Sequence, residues 1–242
     1  MIRSALLSGV FLAAFGSVPA HAVLEISASI GGSTFTCVDN SACDTNPTVG
    51  SLTTNPVTLA GIEFSASNSL SLSGPLDALS SSFNLIRNTS ASPVLIRLAV
   101  GDTDYTFPVL AFHTAGSGTW QGPGGSSAQQ NWFVDPANSQ GASTPTTTPG
   151  VQIDTDSFTS PGVGVLGFAH NGGPLFASPT EFSMTEQSVL VLLPGGSIVN
   201  AGETMIGSAV VPEASTWAML GIGAAFMAYG IRRRNRDHRF SI

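Results

Sequence analysis

From residue 23 to residue 210 the chain is a succession of short β-prone runs separated by Gly, Pro, Asn and Ser, and this punctuation restricts its fold most. No segment here sustains the 3.6-residue apolar period of an amphipathic helix. Residues 23–30 alternate apolar and polar side chains, as a half-buried strand does. Further strands are predicted over residues 57–66, 83–88, 94–100, 105–113, 163–169, 187–193 and 204–210, with long loops over 116–125 and 136–150.

Many short strands with Gly-rich connections predict an all-β fold, a jelly-roll-like β-sandwich. A disordered Ser/Thr/Gly spacer is the alternative. The runs carry real apolar content, however, and most of the 14 Phe lie between the two terminal segments. A body of about 190 residues is long enough to bury such a core. We therefore expect one β-rich domain over residues 23–210.

Charge excludes several classes of protein. Charged residues make up 10% of the chain, against about 25% in an average soluble domain. There is no Lys, and Arg87 and Arg97 are the only basic residues between 23 and 211, where thirteen carboxylates lie. This acidic body lacks the basic face of a nucleic-acid-binding protein and the lysine of a P-loop enzyme.

Residues 1–22 have the features of a secretory signal peptide. Arg3 supplies the positive n-region, and an apolar h-region follows. Ala20 and Ala22 frame a small-x-small cleavage site, which predicts a mature protein beginning at Val23. A buried N-terminal helix is the alternative.

The C-terminus carries a second apolar run, predicted to be a single transmembrane helix over residues 214–231. Its length of about 27 Å is slightly short for a hydrocarbon core of about 30 Å. Arg232, Arg233, Arg234 and Arg236 follow within the tail 232–242 and predict a cytoplasmic end, with the acidic body outside the inner membrane. An amphipathic core helix is the alternative, although every face of the run is apolar or small.

The run is preceded by Val211, Pro212, Glu213 and Ala214, within the motif 211–216. This motif, a short apolar segment and an Arg cluster together resemble the PEP-CTERM sorting signal of Gram-negative bacteria, here over residues 211–242. In that family a second Pro usually stands where this chain has Ala214. The resemblance implies recognition by an exosortase, a membrane protease that would cut near Pro212–Glu213. It further implies a transient inner-membrane anchor and release to the cell surface or exopolysaccharide matrix.

Cys37 and Cys43 are the only cysteines. In an exported chain, two cysteines this close favour a disulfide that closes a short loop. Zinc would need four ligands, and no His lies nearby.

Two Asp-x-Asp pairs are candidate calcium ligands, because calcium takes six to eight oxygens and alternate Asp side chains in a loop supply several. They are Asp102 with Asp104 and Asp154 with Asp156. Asp is also an ordinary turn residue, and neither pair fits a known calcium-binding pattern. We therefore assign no metal and no cofactor.

No catalytic set stands out. The body has two histidines, His113 and His170, and His170 is interpreted as an exposed turn residue. Trp120, Trp132 and Phe133 are candidates for a carbohydrate-binding platform, with core packing the alternative for at least two of them. A glycosidase carboxylate pair is set by the fold, and the sequence pattern does not reveal one.

We therefore predict a non-enzymatic, exported surface or matrix protein with a structural or adhesive role. The alternatives are an extracellular carbohydrate- or calcium-binding module and a secreted glycan hydrolase. Expected partners are an exosortase-type protease, the inner membrane and exopolysaccharide, and no nucleic acid.

Overall fold

The computed structural model describes residues 23–65, 67–73, 76–162, 164–179 and 181–208. These residues form fourteen β-strands. The strands are β1 (Glu25–Ile30), β2 (Ser33–Val38), β3 (Ser51–Thr53), β4 (Val57–Leu59), β5 (Ile62–Phe64), β6 (Ser67–Leu72), β7 (Leu76–Asn88), β8 (Val94–Tyr105), β9 (Ala111–Gly122), β10 (Ser127–Asp135), β11 (Val151–Thr159), β12 (Gly164–Gly172), β13 (Phe182–Leu192) and β14 (Ser197–Ser208).

The strands make two antiparallel sheets. Sheet I has the order β11-β10-β13-β8-β1-β2. Sheet II has the order β12-β9-β14-β7-β5-β4, with β6 also paired to β7 and β3 to β6. Buried apolar side chains from both sheets form one cluster between them, so the predicted all-β sandwich is confirmed.

Turn chemistry explains two of the connections. Gly31 and Gly32, with φ of 54° and 85°, join β1 to β2. Ala60 and Gly61, with φ of 48° and 77°, join β4 to β5. Two successive residues at positive φ make the tight hairpin that suits twisted strands. The single strand predicted over residues 57–66 is therefore two short strands.

Two other predicted elements are wrong. The strand predicted over 105–113 is interrupted, because β8 ends at Tyr105 and β9 begins only at Ala111. Pro108 lies in the gap and has no N–H to donate to a ladder. The loop predicted over 116–125 is mostly β9, which continues to Gly122.

The segment 136–150 is irregular, as predicted, and it packs on the outer face of sheet I. The side-chain amide of Gln187 donates to the carbonyl of Pro145 at 3.0 Å and to Thr148 Oγ1 at 2.7 Å. Ser27 donates to the carbonyl of Ala142, which is fully buried. This segment thus covers part of the outer face of sheet I, whereas the outer face of sheet II is open to solvent at positions such as Ser117 and Asn171.

Cys37, the fifth residue of β2, forms a disulfide with Cys43 in the loop that follows. Cys37 is buried, and Cys43 packs against the core. The bridge closes a short loop beside sheet I.

Replacing both cysteines, Cys37→Ala with Cys43→Ala, should lower the free energy of unfolding by about 2 kcal/mol, since a short loop gains entropy in the unfolded chain. Urea denaturation of the oxidised wild type and the double variant measures this difference. A difference below about 0.5 kcal/mol would contradict a stabilising role for the bridge.

The predicted signal peptide, with Ala20 and Ala22, and the whole sorting segment 211–242 lie outside the described residues. Among the residues that are described, no helix is long and apolar enough to span a membrane.

Candidate functional site: a polar layer between the sheets

A layer of polar side chains crosses the interior of the sandwich. In sheet I the strand register sets Asp156 beside Gln130 and Gln130 beside Ser188. In sheet II it sets His170 beside Gly116, Gly116 beside Glu203, and Glu203 beside Ser81. We call these residues, with Asp154, Glu186 and Thr114, the interior polar layer.

Two glutamates from opposite sheets lie at the centre of this layer. Glu186 on β13 is 1% exposed and Glu203 on β14 is 6% exposed. Ser81 of sheet II donates to Oε2 of Glu186 at 2.7 Å, and Ser188 of sheet I donates to Oε1 of Glu203. Each glutamate is therefore held by a hydroxyl from the other sheet, which links the two sheets through their interior.

Burial favours the protonated form of both carboxyls. Desolvation raises the pKa of Glu203 from 4.5 to about 7, although hydrogen bonds from Ser188 and Gln130 act against it. Desolvation, together with repulsion from Glu203, raises the pKa of Glu186 well above 4.5. At mildly acidic pH the pair therefore keeps protons that ordinary surface glutamates have already lost.

Gly116 has no side chain, which leaves room inside the layer for a side chain from the opposite sheet. A Cβ at Gly116 would lie 2.0 Å from Oε1 of Gln130, whose side chain occupies that space. Gln130 is 2% exposed and reaches across to Glu203. The cavity between the sheets that Ser81, Gln130, Ser188 and Glu203 help to line has a volume of about 10 Å³, roughly the space of one water molecule.

At the edge of the sandwich, a histidine bridges two aspartates of β11. His170 Nε2 lies 2.7 Å from Oδ2 of Asp154, and its Nδ1 lies 3.0 Å from Oδ2 of Asp156. Thr114 also donates to Asp154, and the ring of Trp132 stacks on His170 at a centroid distance of 5.0 Å. The cluster ties edge strand β11 of sheet I to edge strand β12 of sheet II.

The environment of His170 differs from the predicted exposed turn. It lies within β12, and its side chain is 14% exposed. The ring of Trp132 covers one side of the imidazole, and the two carboxylates lie at its nitrogens, so the side chain is largely shielded from solvent. Partial burial acts to raise the pKa of Asp154, but hydrogen bonds from Thr114 and His170 outweigh it and lower the pKa below its usual value.

The other Asp-x-Asp pair lies at the end of β8. Asp102 is fully buried and accepts a hydrogen bond from the N–H of Thr103 at 2.9 Å. Desolvation raises the pKa of Asp102 from 3.8 to about 7, despite hydrogen bonds from Ser71 and Thr103. Asp104 exchanges two hydrogen bonds with Asn138, of 2.9 and 2.7 Å.

Both Asp pairs therefore lie in strands rather than loops. Their carboxylates are engaged by donors of the protein itself. Within the described ranges, no group of three His, Cys, Asp or Glu side chains is placed to hold a metal ion.

The three aromatic residues considered as a carbohydrate platform do not share a surface. Trp120 and Trp132 are 3% and 0% exposed and belong to the core, and Phe133, on the other face of β10, is half-buried. Packing is therefore the role of the two tryptophans.

The interior glutamates were missed by sequence reasoning, although one signal was present. Alternate residues of β13 place Glu186 and Ser188 on the same face as Phe182, Met184 and Leu190. A carboxyl on an otherwise apolar face indicates a buried polar group. Its partner Glu203 could not be assigned from spacing, because the contact joins strands of different sheets.

The comparison with known families places a PEP-CTERM protein-sorting motif at residues 210–234. The chain therefore carries this motif, as the resemblance predicted. The motif implies an exported protein with a membrane-anchored C-terminal sorting tail. No curated protein sequence matches the chain.

Several solved structures show a distant likeness. One is the carbohydrate-binding module TmCBM61 in complex with β-1,4-galactotriose, with 6% identity, a TM-score of 0.31, and 59% of this chain and 88% of that chain covered. Another is TmCBM27, a carbohydrate-binding module described for mannan recognition, with 9% identity, a TM-score of 0.30, and coverage of 66% and 90%. The enzymatically active domain of tailspike protein 4 of bacteriophage CBA120 has 12% identity, a TM-score of 0.30, and coverage of 60% and 19%.

Proposed function

We propose that this chain is a surface or exopolysaccharide-matrix protein with a structural or adhesive role, delivered through its sorting tail. One observation carries the proposal. All fourteen strands end by Ser208, and the sorting motif begins at residue 210. A cut near Pro212–Glu213 by an exosortase-type protease would therefore release the whole sandwich intact.

The strand order supports the view that the released unit is a self-contained jelly roll. Strands β7 to β14 pair as β12-β9-β14-β7 in one sheet and β11-β10-β13-β8 in the other. This is the order of a double-sheet jelly roll of eight strands. Glu186 and Glu203 are buried between the sheets, and we assign the domain no catalysis of its own.

Processing can be tested by the intact mass and cellular fraction of the protein from its own host. The wild type should begin at Val23, end near Pro212–Glu213 and occur in the surface or matrix fraction. A variant with Val211, Pro212 and Glu213 replaced by Ala should keep its Arg-rich tail and stay with the inner membrane. Glu181→Ala, which removes a carboxylate from the body, is the matched control and should be processed like the wild type. A wild-type mass that retains the tail in the inner-membrane fraction would contradict release.

A second candidate function is glycan binding on the open face of sheet II. A groove of about 400 Å³ crosses β7, β14, β9 and β12 there. Its hydroxyl and amide side chains, on Ser80, Ser117, Asn171 and Thr204, can donate to and accept from sugar hydroxyls.

Ser117→Trp should fill this groove and weaken binding to host exopolysaccharide at least tenfold, with the melting temperature little changed. Titration calorimetry with the purified polysaccharide measures this. Equal affinity of variant and wild type, or no binding by either, would contradict the glycan-binding candidate. Release of reducing ends from the same polysaccharide would instead favour a hydrolase.

A further inference from the structure

The chain leaves the sandwich in the middle of one end of sheet II. Ser208, the last residue of β14, pairs with Leu76 on β7 and with Ala111 on β9. The N–H of Leu110 also donates to the carbonyl of Ser208 at 3.2 Å. The sorting tail therefore begins between two strands, and both neighbours present a leucine beside it.

Four exposed leucines cross this end of the sheet. Leu72 and Leu76, on the two arms of the β6–β7 hairpin, are 53% and 54% exposed. Leu110 is 51% exposed, and Leu175, whose backbone bridges to Ala111, is 86% exposed. We call these four residues the leucine rim. Every segment bordering the exit of β14 contributes to it, which single scattered surface leucines would not do.

The position of the sorting tail places the leucine rim near a membrane. Five residues, 209–213, separate Ser208 from the predicted membrane segment 214–231. Even when fully extended, they span about 17 Å. While the tail is anchored, Ser208, which lies beside the rim, is thus held within that distance of the bilayer.

The charged side chains near the rim indicate which kind of lipid surface the rim can contact. Asp77, next to Leu76, is 1% exposed, so its carboxylate is not part of the surface of the rim. At the same end of the sandwich, sheet I carries Asp104 and the exposed Glu181. An apolar rim beside carboxylates suits a zwitterionic phospholipid interface better than an anionic one.

We propose that the leucine rim docks on the phospholipid surface into which the sorting tail inserts, so that the folded domain sits on the membrane until it is cut. This inference rests on the proposed membrane-anchored sorting. Docking also fixes the height of residues 209–213 above the bilayer, where a membrane protease must reach Pro212–Glu213.

The test uses the full chain in phosphatidylcholine nanodiscs with either normal or brominated acyl chains. In a Trp217→Phe background, Leu110→Trp places a reporter in the rim. Leu95→Trp places one on an exposed leucine (42%) at the start of β8, at the opposite end of the sandwich. The buried Trp120 and Trp132 contribute the same background to both.

Brominated lipid should quench the Leu110→Trp reporter at least twice as much as the Leu95→Trp reporter. Equal quenching, with the chain incorporated in the discs, would overturn the docking proposal alone. Failure of the chain to enter discs would instead overturn the membrane anchor. Weak quenching together with two chains per disc by mass photometry would mean that a second copy covers the rim, which also overturns the proposal.

Hydrogen exchange provides a second measurement on the unmodified chain. Amides of residues 106–111 and 173–176 should exchange at least threefold more slowly in nanodiscs than in protein cleaved at the sorting motif, whereas residues 94–97 should not change. Identical exchange in the two forms would overturn docking without any substitution.

Discussion

Raising the pH from 5 to 8 should lower the free energy of unfolding by roughly 3–5 kcal/mol, because the folded protein holds protons that the unfolded chain gives up. Burial raises the pKa of Glu203 from 4.5 to about 7, and that of Asp102 from 3.8 to about 7. Between the ordinary pKa and the raised pKa of each residue, the folded state binds more protons than the unfolded state. Stability is therefore greatest at the acidic side of this window and is lost as the pH rises through it. Urea denaturation at several pH values measures the change, which corresponds to roughly 10 °C in melting temperature.

Glu203→Gln separates this mechanism from general charge effects. The amide keeps an acceptor for Ser188 but cannot ionise, so about half of the pH dependence should disappear and the variant should exceed the wild type in stability at pH 8. Glu63→Gln removes a carboxylate from the short strand β5 and serves as the matched control for the loss of one negative charge. A wild-type curve that is flat from pH 5 to 8, or equal slopes in the two variants, would contradict the role of the buried pair.

The strands that sequence could predict are those whose inward side chains are apolar. β1 and the first half of β8 show this alternation clearly, because their inward positions include Ile26, Ile96 and Leu98. An antiparallel strand with one apolar face produces a period of two that needs no other information.

Strands whose inward-facing residues are polar or glycine were not predicted from the sequence. In β6 the buried positions are Ser67, Ser69 and Ser71, and the leucines face outward. Tyr105 satisfies the hydroxyl of Ser71 at 2.8 Å. In β9, Gly118 leaves space that the ring of Phe168 from β12 fills. In both strands the residue that completes the core comes from a distant part of the chain. The apolar–polar alternation within the strand therefore does not reveal it.

The interior polar layer could not be predicted for the same reason, since its contacts join distant parts of the chain. Its glutamates meet only because β13 and β14 lie in opposite sheets, and the hydroxyls that hold them, Ser81 and Ser188, are separated by more than a hundred residues. The disulfide and the sorting motif, by contrast, are local in sequence. The spacing of the two cysteines predicted the disulfide, and the resemblance of residues 211–242 to a known sorting signal identified the motif.

Trp132→Ala should lower the free energy of unfolding by about 4 kcal/mol, the loss expected for a large aromatic side chain deleted from a close-packed core. Trp132 is fully buried, and its ring covers His170. The substitution leaves a cavity and also removes the support that holds His170 against Asp154 and Asp156. Chemical denaturation followed by far-ultraviolet circular dichroism measures the loss.

Phe133→Ala is the matched control, since it removes an aromatic ring from the other, half-buried face of the same strand and should cost about 1 kcal/mol. Trp132→Phe should keep most of the packing and leave any affinity for exopolysaccharide unchanged. If Trp132→Ala weakened polysaccharide binding while the stability stayed that of the wild type, the ring would have to be reachable by a ligand, against its burial. If stability falls and the Trp132→Phe variant binds normally, Trp132 serves to pack the core rather than to contact a ligand.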